Sequence, residues 1–205
     1  MNATATTQLP EEGIKSRVDT TLGMIFFIGS WSMAFATVFL AFLVLRARVG
    51  VWPPEGIALP SFPLATVATL ILIASSVGLH RAIRTWDPLR AGKVSEADKA
   101  GAQRAWAFGV GLGVGFAVLQ SILWLDLIGA GRVPSSGLYE SLFYGLTWFH
   151  ALHVVAGLTS LMWAWYGLST GRYGSHRFST VNNIVIFWHF VDVVWIVLYL
   201  GFFVF

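Results

Sequence analysis

The stretch that decides the fold is "FWHFVDVVWIVLYL", residues 187–200, in which every side chain except His189 and Asp192 is aliphatic or aromatic. It lies within residues 178–205, where these two are the only ionisable groups. A helix that is apolar on all sides is either buried in a large protein or spans a membrane. Because about 20 such residues cross a bilayer core, the stretch predicts a transmembrane helix that carries a histidine and an aspartate inside hydrocarbon.

The composition of the whole chain agrees with a membrane protein. Of its 205 residues, 56% are hydrophobic and 11% are charged, and the mean hydropathy is +0.70. A soluble domain carries about 25% charged residues. There is no cysteine, which excludes disulfides, zinc–cysteine sites, iron–sulfur clusters and c-type haem attachment in this chain.

Four further stretches are long and apolar enough to span a bilayer. Together with residues 178–205, these four stretches predict an all-α polytopic membrane protein that has five transmembrane helices in one bundle. The predicted spans are at about residues 22–46, 62–83, 104–127, 140–168 and 179–205. Residues 1–20 are predicted to form a polar cytoplasmic segment, and residues 21–205 a single five-helix domain.

The orientation follows from the distribution of Lys and Arg. Ten of the thirteen lie on the side that holds the N-terminus, and Arg46, Arg48 and Arg132 lie on the other. Cytoplasmic loops carry the excess of positive charge, so the N-terminus is predicted to be cytoplasmic and the C-terminus to lie outside. Trp106, near the start of the third span, is predicted to be an interfacial anchor.

The polar groups inside the predicted spans are few: Gln120, His150, His153, His189 and Asp192, with Glu140 at a helix start. An ionisable residue in a span indicates a functional site by default. Such residues also tie helices together, at about 0.6–2 kcal/mol each. We predict a structural polar network that joins the fourth and fifth spans, consisting of His150, His153, His189 and Asp192.

Two other interpretations of these groups stay open on the residues alone. His150 and His189 both fall near the membrane midplane, as two axial haem ligands of a cytochrome b-like subunit would. A di-iron site would need Glu-x-x-His motifs, but Thr147 and Ile186 occupy the positions three before these histidines. No metal site is therefore predicted. A small transporter is the other alternative, although no repeated halves are evident.

A run of alternating glycines, "GVGLGVG", occupies residues 109–115 in the third span. Glycine in a membrane helix lets a neighbouring helix approach closely. We therefore expect the third span to pack tightly against its neighbours at this run.

Four motifs resemble the cytochrome c oxidase subunit III family. They are "LYESLFYGLTWFHALHVVAGL" at residues 138–158, "WHFVDVVW" at residues 188–195, the Trp-Pro-Pro-x-Gly loop, and the Leu119-Gln120 pair. The loop motif consists of Trp52, Pro53, Pro54 and Gly56. The resemblance runs in order from about residue 20 to residue 205 and is to the five-helix bacterial form of the family.

The resemblance implies an accessory subunit without catalytic residues, in a haem–copper terminal oxidase that reduces oxygen and pumps protons. It implies that haem and copper lie in partner subunits, that the chain holds no cofactor except bound phospholipid, and that it packs on catalytic subunit I beside subunit II. It also implies a bacterial cytoplasmic membrane location, a role in proton uptake, and no nucleic-acid partner. Four residues are expected to contact lipid or a partner: Trp31, Gln120, Arg81 and Trp188.

The chain departs from the family pattern in its first span. In "GMIFFIGSWSMAFA", residues 23–36, Trp31 stands where the family usually has a buried glutamate. The behaviour that the family owes to that glutamate is therefore not expected here. The departure leaves open a host complex that is a quinol oxidase or that is associated with nitric oxide reductase.

Overall fold

The computed structural model describes residues 11–49, 60–85, 95–170 and 178–204. Five α-helices make up these ranges, and no strand occurs in them. The helices are α1 Glu11–Val49, α2 Phe62–Thr85, α3 Glu96–Gly129, α4 Leu138–Ser169 and α5 Phe178–Tyr199, and a single π-helical turn, Leu200–Val204, follows α5. All five are long and apolar enough to cross a membrane, so the predicted fold class is confirmed.

Two helices begin earlier than their predicted spans. α1 begins at Glu11, within the segment predicted to be polar and cytoplasmic, and α3 begins at Glu96. The start of α3 is fixed by a capping box, in which Asp98 N donates to Ser95 Oγ and Ser95 N donates to the Asp98 carboxylate. Hydropathy marks only the part of a helix inside the bilayer, whereas caps mark where the helix itself begins.

α5 is the central helix of the bundle. It packs against α1, α2 and α4, while α2 and α3 form the most extensive helix pair. α1 is peripheral: it contacts α5 and, less, α4, and most of its apolar side chains are exposed, including Phe26 and Met33. A large apolar face on the outside of a bundle suits lipid or another membrane protein.

Trp188 of α5 lies at the centre of the core and has no exposed surface. Its ring packs against Gly113 of α3 and Gly157 of α4, where an added Cβ would come within 2.9 Å and 2.8 Å of the ring. Gly109 packs equally closely on Leu79 of α2. The expected close approach is thus confirmed at Gly109 and Gly113. Gly113 and Gly157 together let three helices meet around one tryptophan.

Trp106, which the sequence predicted to be an interfacial anchor, is completely buried in the bundle, and its Nε1 donates a hydrogen bond to Leu161 O of α4 at 3.3 Å. Its indole therefore contributes to the packing of α3 on α4.

Gly157→Ala is expected to destabilise the bundle by about 1–3 kcal/mol, the usual cost of overpacking, because the new methyl group would collide with the rigid ring of Trp188. Gly145→Ala, on the same helix, is the matched control, since nothing lies within 4 Å of its Cβ position. The free energy of unfolding of both variants, measured by denaturant titration in mixed micelles, tests this. An equal effect of the two substitutions would show that the contact with Trp188 does not limit packing.

Candidate functional site: the polar groups inside the bundle

His150 of α4 is buried and tied to α5. Its Nε2 donates a hydrogen bond to Val191 O at 3.0 Å, which fixes the neutral tautomer that carries the proton on Nε2. Its ring contacts Phe116 and Trp195, with ring centroids 6.2 Å and 5.4 Å away. In hydrocarbon such a bond holds two helices in register, so the contact fits a structural tie.

His153 faces α1 instead of α5. Its Nδ1 bonds to Phe149 O of its own helix at 2.8 Å, and its ring centroid lies 4.4 Å from that of Trp31 and 5.0 Å from that of Phe35. Trp31, which stands where the resemblance led us to expect a glutamate, is partly buried and packs edge-on against this imidazole. An aromatic contact therefore occupies the place where α1 could otherwise have presented an acid to His153.

His189 and Asp192 face α2. The ring of His189 lies 5.7 Å from the ring of His80, and both residues line a cleft of about 390 Å³ between α2 and α5. The side chains that line the cleft are Ile73, Ser76, Val77, His80, Arg81, Arg84, His189 and Asp192. Asp192 is buried, and apart from the neighbouring Ser76 hydroxyl its Oδ1 meets no hydrogen-bond partner among the described residues.

The four residues of the predicted network are therefore placed in three different surroundings. The structure ties α4 to α5 through His150, but the acceptor is the Val191 carbonyl and not Asp192. Each helical residue advances by about 100°, so Val191 points well away from the shared face of His189 and Asp192. Their similar predicted depths in the membrane permitted contact between His150 and the pair of His189 and Asp192. In the structure they do not meet, because the pair lies on a different face of α5 from the one that His150 contacts.

The residues expected at lipid or partner contacts also fall in different places. Trp188 lies in the core, and Gln120 is buried beside His150 at a cavity of about 100 Å³ between α3 and α4. Neither amide atom of Gln120 meets a hydrogen-bond partner among the described residues. Arg81 is exposed at the α2–α5 cleft. The loop motif of Trp52, Pro53, Pro54 and Gly56 lies outside the described residues.

Sequence reasoning missed a polar cluster at the end of the bundle that holds the α3–α4 loop. Glu140, which the sequence placed at a helix start, is buried and pairs with Arg132 at 2.9 Å. Tyr144 Oη donates to Arg132 O at 2.8 Å, and Arg46 of α1 donates to Gly201 O at 2.8 Å. A basic residue eight positions before a helix-start glutamate, across a short turn, is the signal that could have revealed the pair.

Ordinary hydrogen bonds supply the remaining ties between helices. Trp195 Nε1 donates to Thr69 Oγ1 at 2.9 Å and joins α5 to α2. Trp124 Nε1 donates to Thr147 Oγ1 at 3.1 Å and joins α3 to α4. Ser75 Oγ donates to Gly109 O at 2.7 Å and joins α2 to α3. Most helix interfaces thus carry at least one buried polar contact.

Trp195→Phe is expected to lower the free energy of unfolding by about 1 kcal/mol, because it keeps most of the ring but removes the donor to Thr69. Trp165→Phe is the control, since Trp165 lies on the exposed face of α4. Thermal unfolding in mild detergent measures both. The assignment fails if Thr69→Val, combined with Trp195→Phe, destabilises as much as the two single variants added together.

A metal centre finds no support in the described part of the chain. No group of three or more His, Asp or Glu side chains there could hold an ion.

The sequence was compared with the profiles of known protein families. The profile of cytochrome c oxidase subunit III matches residues 6–205. The chain belongs to the cytochrome c oxidase subunit III family.

Individual relatives agree with that family. The chain is 32% identical over 179 residues to cytochrome c oxidase subunit 3 of Thermostichus vulcanus, covering 87% of this chain and 83% of the relative. It is 32% identical over 179 residues to the subunit 3 of Synechocystis sp., covering 87% and 72%. To that of Paracentrotus lividus it is 34% identical over 184 residues, covering 86% and 66%.

Family membership places the geometry in context. The protein is a multi-pass membrane protein, and as a subunit III of a haem–copper oxidase it forms a membrane complex with other oxidase subunits. Two of the motifs that carry the resemblance, residues 138–158 and 188–195, form much of the α4–α5 interface, where His150 bonds to Val191. That part of the motifs therefore serves helix packing.

Proposed function

We propose that this chain is the accessory, non-redox subunit III of a proton-pumping haem–copper terminal oxidase in aerobic respiration. In this proposal the chain packs on catalytic subunit I, beside subunit II, and supports proton uptake and sustained turnover. Haem and copper belong to the partner subunits. The family profile over residues 6–205 gives the coarse identity, and the interior of the bundle supports the accessory role.

The main observation that supports the accessory role is the hydrogen bond of the His150 imidazole to the backbone of α5. A bis-histidine haem site needs two free imidazole nitrogens that face each other, but His150 Nε2 already donates to Val191 O. His189, the other histidine of that interpretation, lies on a different side of α5, with its ring centroid 5.7 Å from that of His80. The groups that could bind haem in the alternative interpretation are therefore oriented for helix packing.

The proposed location is a bacterial cytoplasmic membrane, with the N-terminus in the cytoplasm. Arg46 and Arg132 lie at the end of the bundle that holds the C-terminal end of α5, since Arg46 bonds to Gly201 O. Arg81 and Arg84 lie at the opposite end, on the last turns of α2. In the sequence ten of the thirteen Lys and Arg residues belong to this second side, and that excess supports a cytoplasmic assignment for it.

Bound phospholipid is also part of the proposal. A groove of about 290 Å³ runs between α1 and α5, and its lining is almost entirely apolar. Its lining residues are Ser32, Phe35, Ala36, Phe39, Phe190, Val193, Val194, Val197 and Leu198. An acyl chain matches a groove of this chemistry. With Trp31 in the first span, α1 offers such a lipid no carboxylate along residues 20–49.

The test is a pulldown of the chain in mild detergent, followed by an optical spectrum and peptide identification of its partners. We expect a large histidine-rich membrane subunit that carries a-, o- or b-type haem, together with oxygen consumption by the complex. A chain that comes down alone and still shows a Soret band would overturn the accessory role. A complex that reduces nitric oxide and does not reduce oxygen would overturn the terminal oxidase assignment.

A further inference from the structure

The cleft between α2 and α5 has a hydroxyl and a carboxyl group among its most buried lining residues. Ser76 is 4% exposed and Asp192 is 7% exposed, and both line the cleft. Ser76 and Asp192 lie within reach of each other, and apart from that contact Ser76 Oγ and Asp192 Oδ1 meet no hydrogen-bond partner among the described residues. A carboxyl group can form several hydrogen bonds, so one hydroxyl neighbour leaves most of that capacity open to a further polar group such as water.

The polarity of the cleft continues from its floor to the end of the bundle. Ser76, His80 and Arg84 follow one another at intervals of four residues on one face of α2. At about 1.5 Å per residue, this face extends about 12 Å from Arg84 inward to Ser76. His189 and Asp192 supply the opposite wall from α5. The cleft therefore presents a graded polar path from the mouth to the floor.

This gradient does not suit a phospholipid. A lipid places its charged headgroup at the interface and its acyl chains deeper, whereas here the deep end of the cleft holds a carboxyl and a hydroxyl group. Water can form hydrogen bonds with the polar groups at both the mouth and the floor of the cleft. A water molecule occupies about 30 Å³ in the liquid, so the cleft of about 390 Å³ holds several, and each needs two to four polar partners of the kind that line it.

We propose that the α2–α5 cleft is a water-filled inlet through which Asp192 exchanges a proton with the aqueous side of the membrane that carries Arg81 and Arg84. Chains of Asp and His inside membrane spans mark proton relays in other proteins. The exchange is a simple proton transfer. A hydronium ion in the inlet protonates a carboxylate oxygen of Asp192 and becomes water, and the reverse step returns the proton.

Among the described residues, the charged and titratable side chains that line the cleft with this carboxyl belong to two helices. α2 contributes His80, Arg81 and Arg84, and α5 contributes His189. The histidine pair lies between the cationic mouth and the acidic floor, and its rings are 5.7 Å apart. Imidazole both accepts and donates protons near neutral pH, so this pair is placed to pass protons between the mouth and Asp192.

That such an inlet serves proton uptake by an oxidase rests on the proposed function, whereas the hydration of the inlet does not. A dry cleft in a chain that co-purifies with an oxidase would overturn the inlet alone. A hydrated cleft in a chain without oxidase partners would overturn the proposed function alone.

The absence of cysteine from the chain allows a direct test of hydration. Ser76→Cys places a thiol on the floor of the inlet, and Ser75→Cys is the control, since Ser75 is completely buried and bonds to Gly109 O. Each variant, in its native complex, is treated with a membrane-impermeant anionic methanethiosulfonate. The thiolate attacks the reagent's sulfur, a mixed disulfide forms, and methanesulfinate leaves.

We expect Ser76→Cys to be modified at least tenfold faster than Ser75→Cys, from one side of the membrane only, as intact mass spectrometry measures. Equal, slow labelling of both variants in the folded complex, with full labelling after denaturation, would overturn the inlet. So would labelling of Ser76→Cys in the isolated chain but not in the complex, because a partner would then cover the cleft.

A second measurement examines the proton itself and does not depend on cysteine variants. The infrared C=O band of a protonated aspartic acid shifts when the proton is replaced by deuterium, and labelling with ¹³C-aspartate identifies the band. We expect a band that Asp192→Asn removes and Asp126→Asn leaves, and that exchanges within the mixing time in D2O. A band of Asp192 that resists exchange for hours would overturn the proposal.

Discussion

Replacing Trp188 by alanine should lower the free energy of unfolding of the bundle by about 3–5 kcal/mol, the upper range for an aromatic residue truncated in a core. Trp188 has no exposed surface and lies where α3, α4 and α5 meet. The backbones at Gly113 and Gly157 pack directly on the indole, so alanine would leave a cavity between these two helices.

In a membrane, the free energy of unfolding lost on replacing Trp188 comes mainly from lost packing contacts. Lipid is as apolar as the core, so helices in a bilayer associate through van der Waals contacts and hydrogen bonds and not through removal of apolar surface from water. A tryptophan wedged between two glycines maximises those contacts, and the cavity left by alanine loses them on every side. The measurement is denaturant titration in mixed micelles.

Trp165→Ala is the control, because Trp165 lies on the exposed face of α4. It should change the free energy of unfolding much less. Trp188→Phe should fall between the two, because it leaves a smaller cavity. If Trp188→Ala and Trp165→Ala proved equally mild, the core would not be organised around Trp188.

The number of helices was predictable because a span is a property of composition. Their facing surfaces were not, because a helix that is apolar all round has no amphipathic stripe to mark its buried side. α5 illustrates this, since Trp188 and His189 are adjacent and similarly placed in the sequence, yet one lies in the core and the other lines the α2–α5 cleft. The resemblance to a family identified both residues without assigning a face to either.

The acceptor of His150 shows a second limit. The sequence suggested a network of side chains that joins His150 to residues such as Asp192, because a sequence identifies side chains. The actual acceptor of the His150 hydrogen bond is the backbone carbonyl of Val191. Every residue has a carbonyl, so such a partner leaves no pattern. The start of α3 differs, because its capping box of Ser95 and Asp98 does have a sequence pattern. That pattern lies outside the apolar stretch by which the span was defined.

Arg132→Met should destabilise the bundle by about 3 kcal/mol, at the low end of the range for breaking a buried ion pair. Glu140 is buried, and its carboxylate accepts a hydrogen bond from Arg132 Nη1 at 2.9 Å. Loss of the guanidinium leaves that carboxylate buried without its counter-charge. Because Arg132 itself is partly exposed, water reaches the pair and keeps the loss below the full cost of an isolated buried charge.

The double variant Arg132→Met, Glu140→Leu distinguishes an electrostatic role from a packing role. Removing both charges removes the uncompensated carboxylate, so the double variant should recover most of the stability that the single variant loses. Tyr144 can still donate to the backbone carbonyl of residue 132, so the turn between α3 and α4 keeps that anchor. A double variant as unstable as Arg132→Met would mean that the arginine stabilises this end of the bundle through its packing, and thermal unfolding of the three proteins side by side decides between the two.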